Sequence, residues 1–331
     1  MINRVLFYNS GGGIGDALQI LPLINAIKNE FKNANFYYIC AHENHFNLGL
    51  KDLNFPIETL DLGIKYFGFR WWHCLIIKNE IKKKKIEKFD LIIDLQSKIR
   101  NTLILKLLPH SIFVSSCFNF KFSKPGVSIT KVGRINNNIL QAVNSILKIN
   151  CNLIDYNINN IEKKFFLEAE RLLPKNNYVG LSITQGNVYR KKEWPLENIV
   201  ELCGKLKQYN KIPVFLIEKN NNELKNKIQK LVPYSFFPEH ESKLSSPALV
   251  TCLARRLDFA ITIDNGVMHM LSLAKIPLIS LFGPTDPEKF APKYEKSIVI
   301  DSKKIYKTEN ISAITVEDVL QVAKRHLNFL C

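Results

Sequence analysis

The segment Ser10-Gly11-Gly12-Gly13-Ile14-Gly15-Asp16 places a carboxylate directly after a run of glycines. Glycine lets the backbone turn sharply and approach a ligand closely, because it tolerates positive φ and carries no Cβ. Apolar residues follow at helical spacing, so Asp16 lies at the start of a predicted helix. Two roles are open for it: a cap of that helix, or a general base that takes a proton from an attacking hydroxyl. The positive end of the helix dipole favours the ionised carboxylate in both roles.

This glycine segment does not match the common nucleotide-binding loops. The third glycine of a G-x-G-x-x-G fingerprint would fall on Asp16, and the segment contains no Lys-Ser or Lys-Thr pair that could form a P-loop. His42 follows the second predicted strand, where a dinucleotide fold has an acidic residue. We therefore expect no cofactor. No Asp-x-Asp sequence occurs, so we also expect no metal ion at the site.

A second candidate segment, Asp264-Asn265-Gly266-Val267-Met268-His269, joins a predicted strand to a predicted helix. Gly266 allows close approach of the backbone, and the free N–H groups and dipole of a helix N-terminus attract a phosphate oxygen. His269, one turn into the helix, could donate a further hydrogen bond. An ordinary structural role stays open for each residue, because a histidine on a helix beneath a sheet is often simply a buried, hydrogen-bonded group.

Two other loops of the second half carry similar chemistry. Thr184 and Gln185 end its first predicted strand, and the cations Arg190, Lys191 and Lys192 come just before a helix. These cations could neutralise a diphosphate through charge-assisted hydrogen bonds, or they could form a solvated basic turn. A rigid loop at 281–287 follows another strand. Since parallel strands end at one sheet edge, the convergence of these loops favours a diphosphate site.

Short apolar runs alternate with amphipathic segments along the chain, which is typical of parallel sheets covered by helices on both faces. Predicted strands lie at 4–9, 36–41, 91–95, 178–184, 213–217, 259–263 and 277–282. Predicted helices lie at 196–209, 222–231, 247–256, 267–274 and 316–330, and Pro22 predicts a kink or an irregular start in the first helix. A polar, Asn-rich stretch at about 151–177 indicates a boundary. We predict domains at 1–160 and 161–331, with a last helix that can pack back on the first domain.

Composition narrows the classes of protein further. The 331 residues include 46 Lys+Arg and 30 Asp+Glu, a formal charge of +16 that favours an anionic partner or reflects a Lys-rich coding bias. The 46% hydrophobic content excludes a disordered chain. Seven cysteines without a C-x-x-C pair predict neither a disulfide framework nor a zinc site. No apolar run is long enough to span a bilayer and no signal peptide is evident, so we expect a cytoplasmic protein.

Four motifs together resemble glycosyltransferase family 9, the ADP-heptose:lipopolysaccharide heptosyltransferases. They are G-I-G-D-A-L-Q-I-L-P at 13–22, K-E-W-P at 192–195, D-N-G-V-M-H at 264–269 and L-F-G-P-T-D-P at 281–287. The resemblance spans both halves in the family's order. It implies an α/β GT-B fold, in which two Rossmann-like domains have parallel sheets facing a central cleft. The first domain would bind the acceptor and the second the nucleotide-sugar donor.

The resemblance also implies roles for single residues. Asp16 would be the catalytic base beside an acceptor loop formed by Gly12, Gly13 and Gly15. The donor diphosphate would be bound by Lys192, Asp264, Asn265, Gly266, His269, Thr184 and Gln185. The family's glycine-rich turn after the second strand of the donor domain is replaced here by Glu218-Lys219-Asn220-Asn221, which leaves Glu218 and Glu223 as candidates for the ribose hydroxyls.

The implied reaction is an inverting transfer of a sugar, heptose by resemblance, from an ADP-linked donor to a lipopolysaccharide core or related glycan. Two alternatives stay open: another GT-B enzyme such as a sugar-nucleotide epimerase, and a basic nucleic-acid-binding protein. Nucleic acid is not expected as a partner, because zinc fingers and the aromatic motif of RNA-recognition domains are absent.

Trp71 and Trp72, followed by Lys82, Lys83, Lys84, Lys85 and Lys88, give the first half an aromatic and basic region. It could contact the inner membrane surface, where the family's anionic, lipid-linked acceptor is found. A buried strand followed by a solvated helix face is the alternative.

Overall fold

The computed structural model describes residues 2–11, 13–40, 45–64, 66, 68–130, 133–185 and 191–326. The chain divides into two compact units, each built around its own five-stranded sheet. Unit 1 is Met1–Lys51 with Phe55–Tyr156, and unit 2 is Asp52–Asn54 with Asn157–Cys331.

Unit 1 contains a parallel sheet with the strand order β3-β2-β1-β4-β5. The strands are β1 Arg4–Asn9, β2 Asn35–Cys40, β3 Glu58–Thr59, β4 Phe89–Asp94 and β5 His110–Ser115. The helices are α1 Ile14–Gln19, α2 Leu21–Glu30, α3 His73–Lys83, α4 Ile99–Leu105 and α5 Ile135–Leu147. Strand β1 is central and its side chains from Val5 to Asn9 are all buried, because helices cover both faces of a parallel sheet.

The first helical pattern of unit 1 is interrupted where the sequence contains proline. Helix α1 ends at Gln19 and α2 begins at Leu21, with Pro22 in its first turn. Proline is tolerated there because its missing N–H has no partner at a helix start. The glycine segment therefore leads into a short helix of its own, and Asp16 lies in the first turn of that helix.

Unit 2 repeats the architecture with the parallel order β10-β9-β8-β6-β7. The strands are β6 Tyr178–Ser182, β7 Ile212–Phe215, β8 Leu257–Ile263, β9 Leu278–Phe282 and β10 Ser297–Asp301. The helices are α6 Lys163–Leu172, α7 Leu196–Gln208, α8 Asn222–Leu231, α9 Pro238–Glu241, α10 Pro247–Ala254, α11 Gly266–Leu273, α12 Pro287–Phe290, α13 Ser302–Tyr306 and α14 Val316–His326. The buried side chains of α14, including Val319 and Leu320, belong to the core of unit 2.

The predicted α/β class with two parallel sheets is confirmed. The central strands match the predicted apolar runs to within a few residues, whereas β3, β5 and β10 were not predicted. Two cysteines, Cys40 and Cys74, are half-buried, while the other four described cysteines are buried as expected, and all six are free thiols. Within the described ranges, every helix is too short or too polar to cross a membrane.

Candidate active site

The carboxyl edge of the unit 2 sheet is organised by the side chain of Asn265. Its Oδ1 accepts a hydrogen bond from the N–H of Met268 at 2.9 Å and so caps α11. Its Nδ2 donates to Ser182 Oγ at 2.7 Å and to the carbonyl oxygen of Thr184 at 2.8 Å. Asn265 therefore joins the end of β6 to the start of α11, and its amide is fully used in holding these two loops together.

Lys192 reaches this edge from the loop before α7. Its Nζ lies 2.6 Å from Asp264 Oδ2 and 3.0 Å from the carbonyl oxygen of Asp264. The side chains are only 12% and 8% exposed, so the ion pair is nearly buried. The structure brings these two predicted residues together, but Asp264 contacts the lysine and, as a carboxylate, has no proton to donate to a phosphate oxygen.

The loop that carries Lys192 is fixed on both sides. The backbone N–H of Lys192 donates a hydrogen bond to Gln185 Oε1 at 2.9 Å. Two residues later, Trp194 is buried in the core, and its indole N–H donates to the carbonyl oxygen of Ile314 at 2.9 Å. The K-E-W-P motif thus contains a buried anchor two residues from the lysine, which limits the positions that its ammonium can reach.

The first turn of α11 presents donor groups beside this ammonium. Asn265 caps the N–H of Met268, whereas the N–H groups of Gly266 and Val267 have no acceptor within the described part of the chain. His269 is buried in the same turn. On the loop after β9, the Thr285 hydroxyl oxygen is buried and has no hydrogen-bond partner among the described residues. A buried hydroxyl without a partner is costly, so this atom is a candidate ligand contact.

Carboxylates follow the neighbouring strand β7. Glu218 is exposed, and its Oε1 accepts a long hydrogen bond of 3.4 Å from Thr184 Oγ1. Burial, with a smaller contribution from the charge of Glu218, raises the pKa of Glu239 to about 8. The other sequence candidate, Glu223, is exposed in the first turn of α8, and the described contacts do not connect it to the cluster. The structure therefore brings Glu218, and not Glu223, to the predicted site.

In unit 1, Asp16 occupies the third position of α1 and forms a capping box with Gly13. Its Oδ2 accepts a hydrogen bond from the Gly13 N–H at 3.2 Å. The second carboxylate oxygen, Oδ1, has no donor among the described residues, and the side chain is half-buried. The sequence left a capping role and a proton-accepting role as alternatives for Asp16. The two are compatible, because Oδ2 caps the helix and Oδ1 is left to accept a proton.

A glycine is required in this segment because a side chain would collide with Asp16, and not because of a positive φ. A Cβ built on Gly11 would lie 2.4 Å from Asp16 Cβ and 2.7 Å from Asp16 Cγ. Gly13 has φ −98°, which any residue adopts, and Gly15 lies within α1, so the expected use of positive φ is wrong for Gly13. Gly12 lies outside the described residues. Gly11, which the motif did not single out, has the clearest steric reason to be glycine.

Asn9, at the end of β1, holds the glycine segment from below. Its Oδ1 accepts hydrogen bonds from the Gly11 N–H at 2.9 Å and from Gln96 Nε2 at 2.8 Å, while its Nδ2 donates to the carbonyl oxygen of Asp16 at 3.2 Å. Gln96 in turn follows the buried Asp94, which accepts its N–H at 3.0 Å. Polar side chains ending two adjacent strands, β1 and β4, were the signal in the sequence that could have revealed this network.

Asp94 is the most deeply buried carboxylate of unit 1. Burial raises its pKa to about 6, although the hydroxyls of Thr102 and Ser115 donate to Oδ2 at 2.6 and 2.8 Å. Those bonds tie α4 and β5 to the end of β4. The arrangement fixes the strand ends that support the glycine segment.

Sequence reasoning missed two cations, Arg70 in the loop between β3 and α3 and Arg100 in the first turn of α4. The imidazole of His73 is buried and its Nδ1 accepts the Arg70 N–H at 3.0 Å. Burial, together with the guanidinium charges of Arg70 and Arg100, lowers the pKa of His73. Arg100 Nε is buried without a partner in the described ranges. Two arginines near a neutral histidine make this a candidate anion-binding corner.

A model of the glycosyltransferase family 9 (heptosyltransferase) matches residues 79–320. The chain belongs to glycosyltransferase family 9. This family match includes the Lys192, Asp264 and Thr285 loops. It does not include the Asp16 segment.

Relatives of this family 9 chain agree with the match. It is 24% identical over 289 residues to lipooligosaccharide heptosyltransferase 2 of Campylobacter jejuni, covering 84% of this chain and 81% of the relative. A family 9 glycosyltransferase structure from Veillonella parvula superposes with a TM-score of 0.71 at 17% identity, over 98% of this chain and 97% of that one. E. coli heptosyltransferase WaaC with ADP-2-deoxy-2-fluoro heptose gives 0.69 at 18%, over 97% and 99%. The GT-B fold expected from the motifs is confirmed.

Proposed function

We propose that this family 9 glycosyltransferase moves a heptose from ADP-heptose to the inner core of a lipopolysaccharide, with inversion at the anomeric carbon. The observation that carries the proposal is the position of the Lys192 ammonium beside the first turn of α11. There the N–H groups of Gly266 and Val267 have no acceptor among the described residues, so a cation and two backbone donors stand ready for one anion. A pyrophosphate is the anion that such an arrangement suits.

The donor proposal assigns different tasks to the predicted diphosphate residues. Lys192, Gly266, Val267 and Thr285 have protons that can be donated to phosphate oxygens. Asp264 orients Lys192, and Asn265 with Thr184 and Gln185 holds the loops in register. His269 lies buried in the first turn of α11, where we propose that it donates to the same diphosphate. Arg190, a further proposed cation, lies outside the described residues.

The nucleoside is proposed to lie beside Glu218. A carboxylate accepts hydrogen bonds from both hydroxyls of a ribose, and Glu218 is exposed at the carboxyl edge next to Thr184. Adenine is proposed from the family's donor and from the relative whose structure was solved with an ADP-linked heptose. Glu223 is not retained as a ribose contact, because no contact in the described part of the chain connects it to the Thr184 and Glu218 loops.

The acceptor is proposed to bind at unit 1. Asp16 Oδ1 would take the proton of the acceptor hydroxyl, and Gly13 N–H would keep the other carboxylate oxygen in place. Arg70 and Arg100 would pair with acidic groups of the acceptor, since both act on His73 as positive charges and neither forms an ion pair with the residues that the structure describes. In this proposal the arginines bind the anionic acceptor, and the carboxylate of Asp16 accepts its proton.

In the proposed step, the acceptor oxygen forms a bond to the anomeric carbon as the bond from that carbon to the diphosphate oxygen breaks. The hydroxyl proton goes to Asp16, and the bonding electrons leave with the diphosphate. Lys192 and the first turn of α11 stabilise the charge that develops on the leaving group, which is where preorganised donors contribute most.

The proposed location is the cytoplasm, at the inner membrane surface, because the acceptor is attached to lipid there. A sugar-nucleotide epimerase remains the second candidate within the same fold. It differs in a simple way, because it converts the donor without any acceptor. A nucleic-acid-binding protein would bind RNA without binding a sugar nucleotide.

Thermal shift with ADP-, GDP-, UDP- and dTDP-linked sugars tests the donor. We expect the ADP-linked sugar to raise the melting temperature most, and Lys192→Ala to remove that rise while Lys211→Ala, a lysine of the same unit, keeps it. A turnover assay with and without a lipopolysaccharide core fragment then separates the alternatives. Turnover of the donor that ignores the acceptor would contradict transfer and favour the epimerase.

A further inference from the structure

Three large apolar side chains at the start of α3 are exposed to solvent. Trp71 and Trp72 are each 57% exposed, and Leu75 is 64% exposed. Isolated exposed apolar residues are common, but clustered large ones indicate a contact surface. Tryptophan is costly to leave in water and has an amphipathic ring, which makes a pair of adjacent exposed indoles an unusual feature of a free surface.

Leu75 shares one face of the helix with a row of lysines. At 100° per residue, Leu75, Lys78, Lys82 and Lys83 lie within an arc of about 140°, while the opposite side carries the buried His73 and Ile77; Trp71 and Trp72 are the two exposed residues directly before the helix. We call these six exposed residues the α3 face. Its aromatic end is at the helix start and its basic end is at the helix end.

The positive charge of the α3 face is not compensated locally. Lys78, Lys82 and Lys83 are exposed and form no ion pair in the described part of the chain. The one carboxylate on the helix, Glu80, is engaged by Lys84 at 3.1 Å. Three ammonium groups and the side chain of Leu75 therefore project from one side of the 11-residue helix, and two exposed tryptophans lie directly before its start.

The side chain of Trp72 is supported by an aromatic ring that precedes the helix. The ring of Tyr66 contacts Trp72 edge-on, with the ring centroids 6.3 Å apart. Tyr66 is itself 49% exposed, so it extends the aromatic end of the face. A prearranged aromatic cluster loses less conformational entropy on binding than mobile side chains would.

We propose that the α3 face docks the protein onto a bilayer that contains anionic lipids. Indole and phenol rings prefer the boundary between headgroups and acyl chains, and lysines are attracted to the negative surface potential. An amphipathic helix with an aromatic side and a basic side lies in the plane of such an interface. The occupant is a membrane surface and not a protein groove, because the face combines exposed aromatic rings with a row of positive charges that has no local counter-charge.

This inference gives a surface to the location proposed above and rests on that proposal for its biological meaning. Its test, however, needs neither a sugar nucleotide nor an acceptor. A failure of membrane binding is therefore distinguishable from a failure of the transferase assignment. Turnover of a soluble core fragment should be the same in the wild type and in the variant of Lys78, Lys82 and Lys83.

The experiment measures binding of the full chain to vesicles of phosphatidylcholine with phosphatidylglycerol and to vesicles of phosphatidylcholine alone. We expect binding only to the first, and weaker binding at high salt. Replacing Lys78, Lys82 and Lys83 by Gln should lower the affinity on the order of 100-fold, because each lysine near an anionic surface contributes about a factor of five. The control replaces Lys205, Lys227 and Lys230, exposed lysines of unit 2, and should bind as the wild type does.

Tryptophan emission provides a second readout that needs no lysine variant. The chain has three tryptophans, and Trp194 is buried in unit 2, so a change in emission on vesicles reports on Trp71 and Trp72. We expect brominated acyl chains to quench the emission of the wild type. In a Trp71→Phe, Trp72→Phe variant the remaining emission, from Trp194, should not be quenched.

Three results would overturn the proposal. They are equal binding of the wild type to both kinds of vesicle, an equal loss of vesicle affinity in the unit 2 lysine control and in the α3 lysine variant, or no quenching of the wild-type emission. Single-stranded RNA is included as a competitor. RNA binding that depends on Lys78, Lys82 and Lys83, without vesicle binding, would assign the α3 face to nucleic acid instead.

Discussion

Lys192 Nζ is 2.6 Å from Asp264 Oδ2, and both side chains are nearly buried at the carboxyl edge of the unit 2 sheet. An ammonium has three protons, and the side chain and the backbone carbonyl of Asp264 accept two of them. One proton is left for a ligand. The carboxylate also offsets the positive charge, so the lysine can stay buried when no diphosphate is bound.

Removing either partner of this pair should therefore cost more than removing both. In Lys192→Ala the Asp264 carboxylate stays buried without its partner, and we expect a loss of about 3 kcal/mol in the free energy of unfolding. Adding Asp264→Ala should recover part of that loss. Urea denaturation of the two single variants and the double variant measures the coupling.

A second ion pair of unit 2 provides the control for this cycle. Lys211 Nζ also lies 2.6 Å from Asp258 Oδ2, but the side chains are 16% and 35% exposed. The same cycle there should give a coupling below about 1 kcal/mol, because solvent screens the pair. Additive effects at Lys192 and Asp264 would contradict the importance of their burial.

Asp16→Asn should lower kcat on the order of 10² to 10⁴-fold and leave KM for the donor nearly unchanged. The amide preserves the size of the side chain but cannot accept the proton of an acceptor hydroxyl. Asp61→Asn, at an exposed aspartate of the same unit, is the matched control and should keep full turnover. Wild-type kcat in Asp16→Asn with both substrates saturating would remove the residue from the reaction.

Gly11→Ala should reduce turnover although the added group is a single methyl. Its Cβ would lie 2.4 Å from Asp16 Cβ, so the segment or the carboxylate must shift. Steady-state kinetics should show a fall in kcat of roughly tenfold or more, because a displacement of about 1 Å at a reacting group is expensive. In Gly126→Ala the new methyl meets nothing within 4 Å, and kinetics should not change. If both variants behaved alike, close packing against Asp16 would have no catalytic consequence.

The sequence was sufficient to predict the strands that are continuous apolar runs. Strands such as β1 and β6 are apolar runs that are buried on both faces, and such runs are visible without a structure. The edge strands β3 and β10 have exposed or half-buried positions and produce no such run. Among the edge strands only β7 was predicted, because three of its four positions are buried.

The candidate site was predictable in its location but less so in the tasks of its residues. Strand ends and helix starts identify an edge, so Thr184, Gln185, Asp264 and Asn265 were found together. The pairing of Lys192 with Asp264, 72 positions apart, and the use of the Asn265 amide to join two loops depend on side-chain geometry. The spacing of a motif does not indicate which of several polar side chains will form a hydrogen bond or an ion pair with each other.

Glu239 should make stability depend on pH. Burial raises its pKa from the ordinary 4.5 to about 8, so the folded protein keeps a proton that the unfolded chain releases between these values. The free energy of unfolding should therefore decrease as pH rises through that window, and level off above about pH 8.

Glu239→Gln removes this ionisation and keeps the neutral shape. We expect the variant to match the wild type near pH 4.5 and to be more stable at pH 8, on the order of a few kcal/mol. Urea midpoints at the two pH values check it, with the exposed Glu241→Gln as the control. An equal difference at both pH values would mean that folding does not shift the pKa of Glu239.

The three hydrogen bonds of Asn265 have one more consequence. A single amide ties the end of β6 to the first turn of α11, so a shift of one loop is resisted by the other. In the proposed donor complex, a pyrophosphate at α11 would be connected through Asn265 to the Thr184 backbone and, through the Thr184 hydroxyl, to Glu218. Recognition of the two ends of the nucleotide would then be coupled, and a sugar phosphate that lacks the nucleoside would use only half of this connection.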